Sequence, residues 1–234
     1  MNATWNSQNA PSTRSTQNAP STRSTRSTRS AQDARSTRLT AYAVVGAPAL
    51  MALYGGIRLV PGSREPGLGW TLGHTAMFAG LLLFAPVFLA LRRLIAPRGT
   101  LPGRLAAGAA LGTAFAGLAA SLAQIGIDLC VGLASATKDE QSRLFERVQS
   151  VPGVLAAVYK VGPLLFYVGL LALLVAAAVG AARTLRWWSP VLMLIGTVAS
   201  AADLAFIPLA AACYLVALCP LVRIDGAAPR TALA

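Results

Sequence analysis

The sequence predicts an all-α integral membrane protein, built as a bundle of five long transmembrane helices. Hydrophobic residues make up 55% of the 234 positions and charged residues only 12%, and the mean hydropathy is +0.59. These values lie outside the range of ordinary soluble domains. Five apolar segments each reach the length of about 20 residues that crosses a hydrocarbon core of about 30 Å. None shows the short alternating pattern of outer-membrane strands, so helices are predicted.

Residues 1–38 form a low-complexity tail of Ser, Thr, Arg, Asn, Gln and Pro. The segment at residues 8–16 (QNAPSTRST) recurs unchanged at residues 17–25. Such a tail has little apolar surface to bury, so we expect it to be disordered. It contains no apolar run typical of a cleavable signal peptide, and we expect residues 39–60 to act as an uncleaved anchor.

The five predicted spans follow this tail and are joined by short loops. Pro48 and Pro163 lie inside spans, where a kink is tolerated. A short amphipathic helix on the membrane surface is predicted between the third and fourth spans. We interpret the last apolar stretch as one helix kinked at Pro208; the alternative is a split at Pro208, which makes six spans. The spans are residues 39–60, 69–91, 103–135, 151–182 and 189–222, followed by a short tail at residues 223–234.

The positions of the basic residues indicate an orientation. Twelve of the 20 Lys and Arg residues lie in the N-terminal tail and in the loops after the second and fourth spans. Because cytoplasmic loops are enriched in these residues, we expect a cytoplasmic N-terminus and, with five spans, an extracellular C-terminus. The same topology explains the net charge of +12. The expected partners are therefore the bilayer and anionic lipid headgroups near the tail and the basic loops, and not nucleic acid.

Small residues recur along the third span at the spacing of a helix–helix contact. Gly108 and Gly112 form a GxxxG pattern, which Ala116 and Ala120 continue. Small side chains let two helix backbones approach closely in lipid. The pattern indicates a contact with another helix, either inside the bundle or in a membrane protein partner or homo-oligomer.

Polar residues inside the predicted spans form the candidate functional cluster. Burying a charge in a bilayer costs several kcal/mol by most scales, so such residues usually face the interior and find partners. The ionisable members are expected in the outer half of the bundle. The cluster consists of His74, Gln124, Asp128, Lys160, Tyr167, Ser200 and Asp203.

The predicted depths of Asp128 and Lys160 match, so we predict an ion pair that closes the hairpin of the third and fourth spans. Gln124 and Tyr167 are the expected neighbouring hydrogen-bonding groups. The alternative is that Lys160 extends outward to the headgroups while Asp128 meets water in a shallow vestibule.

Asp203 is the stronger functional candidate, because no basic residue is expected at its depth. It shares a helix face with Gly196 and Ser200. A buried carboxylate can carry a proton or bind a cation, or it can remain protonated and hydrogen-bond to a neighbouring helix. His74 is a further candidate, because an imidazole is expected to titrate near neutral pH. The alternative is that His74 is an ordinary interfacial residue.

The sequence predicts no catalytic residues, cofactor or metal site. It contains no nucleotide-binding loop, zinc-protease motif, serine-hydrolase motif or paired histidines for haem. Three cysteines, at positions 130, 213 and 219, occur without a metal-binding spacing, and we expect buried free thiols.

In composition, and in the run GPLLFYVGLLALLVAAAVGAARTLRWWSP at residues 162–190, the chain resembles small uncharacterised multi-pass membrane proteins of actinobacteria. The resemblance covers roughly residues 40–222. It implies a bacterial plasma membrane, and it assigns no role to any residue.

Three functions are weighed on these observations. The leading one is a non-enzymatic accessory, partner-binding or sensory membrane protein. The alternative is a small proton- or cation-coupled carrier that uses Asp203 together with Asp128, Lys160 and His74. The third is a membrane enzyme acting on a lipid or quinone, which a lipid-sized side opening lined by His74 and Asp128 would favour.

Overall fold

The computed structural model describes residues 21–95, 100–179 and 185–226, which form helices and short connections without any strand. The predicted all-α membrane fold is confirmed. From residue 36 onward the chain forms one compact unit. Five helical segments in the described ranges are long and apolar enough to cross a membrane: Arg35–Arg58, Leu68–Ile95, Leu101–Ala134, Leu155–Val179 and Leu204–Val222.

Helix α1 runs Ser21–Arg58, so it begins inside the segment predicted to be disordered. Residues 1–20 lie outside the described residues, and disorder stays a prediction for them. No Pro or Gly occurs between Ser21 and Val45. Extending an existing helix requires no new nucleus and adds one hydrogen bond per residue. The helix of the first span therefore continues into the polar residues that precede it.

The next elements form an antiparallel succession. Helix α2 runs Leu68–Ile95, α3 runs Leu101–Ala134, and a short helix α4, Lys138–Gln149, comes next. The Thr137 side chain accepts a hydrogen bond from the Glu140 amide and so caps the start of α4. A π-helix, Leu155–Val161, then leads directly into α5, Gly162–Val179.

Aromatic rings from three helices fill the centre of the bundle. Phe84 and Phe88 of α2 meet Phe166 of α5 with ring centroids 5.0 and 5.6 Å apart. Phe115 of α3 packs edge-to-face on Phe88 at 5.6 Å. Edge-to-face pairs of this kind are favoured by the ring quadrupoles. These contacts join α2, α3 and α5 into one core.

Helices α3 and α5 approach each other until their backbones touch. A Cβ atom added to Gly117 would lie 1.9 Å from the amide nitrogen of Phe166. One added to Gly169 would lie 2.3 Å from the amide nitrogen of Ala114. Only glycine fits at such a crossing, and close approach provides the packing that holds helices together in lipid.

The last apolar stretch is not one kinked helix. It forms three elements: α6, Trp188–Ala202, a 3₁₀ turn, Leu204–Phe206, and α7, Ile207–Gly226. The break falls at Asp203, whose backbone is extended (φ −154°, ψ 135°) and whose carboxylate accepts a hydrogen bond from the Ala205 amide. Pro208 lies in the first turn of α7, where its missing N–H leaves no hydrogen bond unmade. Pro208 therefore begins a helix instead of kinking one.

Helix α7 folds back along α6 as a helical hairpin. The Tyr214 hydroxyl lies 3.0 Å from the Thr197 hydroxyl, although 17 positions separate the two residues. A Cβ atom on Gly196 would lie 3.0 Å from the Ala210 carbonyl oxygen. With 15 residues α6 is about 22 Å long, shorter than a hydrocarbon core of about 30 Å.

The hairpin sets the end of the bundle at which α7 finishes. Pro208 at the start of α7 faces Gly55, near the end of α1. Ser36, near the membrane entry of α1, contacts Arg93 at the end of α2. Because α7 runs away from Gly55, Gly226 lies at the same end of the bundle as Ser36. The five-span prediction puts the two termini on opposite sides of the membrane; residues 1–20 and 227–234 lie outside the described residues, so the sides of the termini stay predictions.

We expect a reporter of membrane sidedness fused after the last residue to report the same side as one fused at the N-terminus. Alkaline phosphatase and a fluorescent protein, each fused to either end in turn, provide the measurement. Opposite signals from the two ends would contradict the hairpin of α6 and α7.

Replacing Gly117 by Ala should destabilise the bundle by about 1–3 kcal/mol, because the added methyl group overlaps the α5 backbone. The matched control is Gly108→Ala in the same helix, where an added Cβ has no neighbour within 4 Å. That control should be neutral or up to about 1 kcal/mol stabilising, through helix propensity. Unfolding of the purified protein in mixed micelles measures both, and equal effects would contradict the proposed crossing.

Candidate functional site

The carboxylate of Asp128 is the centre of a buried polar cluster, near the end of α3. The Tyr159 hydroxyl donates a hydrogen bond to its Oδ1 atom at 3.0 Å. His74 Nε2 lies 3.9 Å from its Oδ2 atom. The indole N–H of Trp70 donates to the backbone carbonyl of Asp128 at 2.8 Å. Three helical elements thus meet at one acidic residue, which is only 9% exposed.

The orientation of His74 is set by its second ring nitrogen. Nδ1 lies 2.8 Å from the carbonyl oxygen of Trp70. A carbonyl can only accept, so Nδ1 carries a hydrogen and Nε2 is the atom that faces Asp128. The imidazole also stacks on the Trp70 indole with centroids 4.0 Å apart and meets the Tyr54 ring edge-on at 5.3 Å. At 3.9 Å, Nε2 and Oδ2 are too far apart for a direct hydrogen bond, so the imidazole faces the carboxylate without bonding to it.

The local sequence explains how α2 and α3 present these groups. Trp70 and His74 are four residues apart, so both side chains lie on one face of α2. Gly132, one turn beyond Asp128, leaves room for the indole. A Cβ atom at Gly132 would lie 2.1 Å from the Trp70 ring.

Tyr159 reaches Asp128 through the π-helix Leu155–Val161. The Gly162 amide donates to the carbonyl of Ala157, five residues earlier, as a π turn requires. Pro163 comes immediately after, and its ring would clash with the carbonyl four residues before it in a regular α-helix. The wide turn accommodates this proline and sets which side chain faces α3. Single π turns are frequent at functional sites.

Helix α4 covers this end of the bundle. The Lys138 ammonium lies 5.9 Å from the centroid of the Trp70 ring and donates hydrogen bonds to the Arg64 carbonyl and to Gln141 Oε1. Phe145 packs on Trp70 at 6.0 Å. A cation over an indole face is favourable, more so when water is excluded. Lys138 therefore ties α4 to the connection between α1 and α2.

The cleft beside His74 is small. Its volume is about 10 Å³, and Tyr54 and Trp70 form part of its wall. A cavity of roughly this size holds one water molecule. The cluster can therefore exchange a proton or hold a water, but the cleft has no room for an organic substrate.

Two of the predicted site residues, His74 and Asp128, meet in this cluster. The predicted pair of Asp128 with Lys160 is not formed: Lys160 is exposed, and the neighbouring Tyr159 takes the place at the carboxylate. Gln124 is half-buried one turn before Asp128. Asp203 is exposed in the α6–α7 turn, where its carboxylate caps the 3₁₀ turn instead of lying buried at mid-span.

The other two predicted residues, Tyr167 and Ser200, belong to a second polar cluster, made of hydroxyl groups. The Tyr167 side chain interacts with the side chains of Ser200 and Tyr214, and the rings of the two tyrosines are 6.3 Å apart. Thr197 also hydrogen-bonds to the Tyr214 hydroxyl. Interhelical hydrogen bonds of this kind hold helices together in membranes. This cluster joins α5 to the α6–α7 hairpin.

Sequence reasoning missed Tyr159, Trp70 and Tyr54 as members of the Asp128 cluster. Two signals were available. Tyr159 adjoins Lys160, whose predicted depth matches that of Asp128, and Trp70 precedes His74 by one helical turn. Neither signal shows which side chain points toward the neighbouring helix. The sequence therefore gave no reason to prefer Tyr159 over Lys160 as the partner of Asp128.

The described residues contain no group of three or more His, Cys, Asp or Glu side chains that could hold a metal ion. The three cysteines are free: Cys213 is half-buried, whereas Cys130 and Cys219 are exposed on the helix surfaces. The expectation of buried thiols is therefore corrected for these two. Comparison of the chain with protein-family models, with curated proteins and with solved structures found no match.

Tyr159→Phe should lower the free energy of unfolding by about 1–3 kcal/mol, since it removes a buried hydrogen bond to a carboxyl group. In an Asp128→Ala background the same change should cost much less, which a double-mutant cycle measures. The control is Lys160→Met, which should stay within about 0.5 kcal/mol of the parent. A larger loss from Lys160→Met than from Tyr159→Phe would favour the ion pair instead.

Proposed function

We propose that this chain is a non-enzymatic integral membrane protein that acts by binding the transmembrane helix of a partner. The observation that carries the proposal is the outward face of α3. Gly108 and Gly112 are exposed there, and a Cβ atom added to either has no neighbour within 4 Å. The GxxxG pattern is therefore not used inside the bundle, where Gly117 makes the close crossing with α5.

The open face continues along most of α3 as a stripe of small side chains. Its members are exposed and recur every three or four residues: Gly108, Gly112, Ala116, Ala119 and Ala123. An exposed leucine in lipid needs no partner, because acyl chains are as apolar as leucine. A flat row of small residues is different, since it allows a second helix to pack at backbone distance.

The interior supports this proposal. The central space between α2, α3 and α5 is filled by packed aromatic rings, and the cleft beside the Asp128 cluster holds about one water. The carrier alternative depended on a buried Asp203, and the exposed position of Asp203 removes that support. The enzyme alternative depended on a lipid-sized opening beside His74, which a cleft of about 10 Å³ does not provide.

The setting of this function is part of the same proposal. The membrane-spanning helices, the distribution of basic residues and the resemblance to actinobacterial membrane proteins favour a bacterial plasma membrane. In this setting the N-terminus and the Arg93 end of the bundle face the cytoplasm.

Gly112→Ile should abolish partner binding while leaving the fold of the isolated chain intact, because its side chain would project from the α3 surface. The matched control is Gly56→Ile on α1, where the glycine is also exposed and unopposed. A photo-crosslinking residue in place of Leu105, beside the stripe, reports the contact in native membranes. We expect a discrete adduct with the parent and Gly56→Ile sequences, and at least a tenfold weaker one with Gly112→Ile.

The mass of the adduct identifies the partner: twice the chain mass indicates a second copy, and another mass indicates a different subunit. The absence of a discrete adduct, or an adduct unaffected by Gly112→Ile, would contradict the proposal. Equal thermal stability of the two variants in detergent separates loss of binding from loss of fold.

A further inference from the structure

We infer that the connection between α1 and α2 forms a binding site for a phosphate group at the membrane surface. A cleft of about 280 Å³ opens between the end of α1 and the loop after it. Arg58 and Arg64 line this cleft, and both also line the small cleft that leads down to His74. Arg58 and Arg64 thus border both clefts, independently of the small-residue face of α3.

Neither guanidinium group has a direct carboxylate partner in the part of the chain that the structure describes, although the charge of Arg58 acts on the buried carboxylate of Asp128 from a greater distance. Among the described residues, no carboxylate lies within 4.0 Å of either arginine, and the ion-pair contact in that part of the chain joins His74 to Asp128. Arg58 hydrogen-bonds to the uncharged Tyr54 side chain, and Arg64 Nε donates a long hydrogen bond, 3.4 Å, to the Arg58 carbonyl. Guanidinium presents a planar fork of five donors that matches the oxygens of phosphate, so donors remain for an external anion.

A third polar group in the same place lacks a partner. The Ser63 hydroxyl oxygen is buried against the small cleft and has no hydrogen-bond partner among the described residues. A buried hydroxyl without a partner costs free energy. A water molecule in the small cleft, bound in turn to the phosphate, would supply the missing partner. Ser63 lies directly before Arg64, so both groups approach from the same loop.

The surroundings place the cleft at headgroup depth. Leu59 and Val60 line it and are 54% and 58% exposed. Trp70, an amphipathic ring typical of the membrane interface, lies beneath. Large apolar side chains next to guanidinium groups match the boundary between acyl chains and phosphates. Glu65 also lines the cleft and is exposed, so a monoanionic phosphodiester fits better than a multiply charged ligand.

Purified full-length protein in a neutral maltoside detergent provides the test, with the thermal unfolding temperature as readout. Three additives are titrated: dioleoylphosphatidylglycerol, dioleoylglycerol, which lacks the phosphate, and inorganic phosphate. We expect phosphatidylglycerol to raise the unfolding temperature well above the effect of dioleoylglycerol. Arg64→Gln should weaken the apparent affinity about tenfold, the loss typical of one charge-assisted hydrogen bond.

The matched control is Arg143→Gln, which removes the same charge from an exposed position of α4 at the same end of the bundle. Because a diffuse electrostatic attraction responds equally to both changes, only a defined site is weakened by Arg64→Gln alone. Arg64→Lys keeps the charge but not the fork, and an intermediate affinity is expected.

The additives distinguish the source of the phosphate. An Arg64-dependent shift with phosphatidylglycerol only supports a lipid headgroup, and one with inorganic phosphate supports a free phosphate; both outcomes support the site. Equal shifts with phosphatidylglycerol and dioleoylglycerol, or equal losses with Arg64→Gln and Arg143→Gln, would overturn it.

Discussion

The backbone contact between α3 and α5 is the constraint on which the rest of the bundle depends. Gly117 and Gly169 bring the two helices so close that each faces main-chain atoms of the other. This crossing determines where Phe166 enters the aromatic core. It also determines which part of α3 the π-helix before α5 contacts. The position of Tyr159 against Asp128 is thus a consequence of two glycines more than one helical turn away.

Polar groups are paired at two places in the bundle, because lipid offers them no other partner. Near the Trp70 end, an acidic residue, an imidazole and a phenol meet from three helical elements, and the phenol donates a hydrogen bond to the carboxylate. Between α5, α6 and α7, hydroxyl groups alone serve the same purpose. The first cluster contains groups that can exchange a proton, whereas the second contains only groups that hold helices together. This difference in chemistry makes the Asp128 cluster the more responsive part of the interior.

Two features on the outside of the molecule have no internal partner among the described residues. The small-residue face of α3 points away from the bundle, and the guanidinium groups of the α1–α2 connection border an open cleft. These two surfaces carry the proposed binding of a partner helix and of a phosphate group. The two surfaces are on different helices and have different chemistry, one suited to a helix backbone and the other to an anion.

The sequence by itself determined the fold class, because about 20 consecutive apolar residues can be satisfied only as a helix in lipid. It also predicted His74 and Asp128 in the same half of the bundle, since depth can be counted in residues from the ends of a span. Only the tertiary structure decided that Tyr159, and not Lys160, faces Asp128. The same holds for the hairpin that turns at Asp203. The direction in which Tyr159 points depends on a π turn, whose extra residue rotates the rest of the helix. Pro208 would kink a helix from within, but in the first turn it begins one. Counting along the chain measures height in the membrane, whereas rotation and reversal depend on contacts with neighbouring helices.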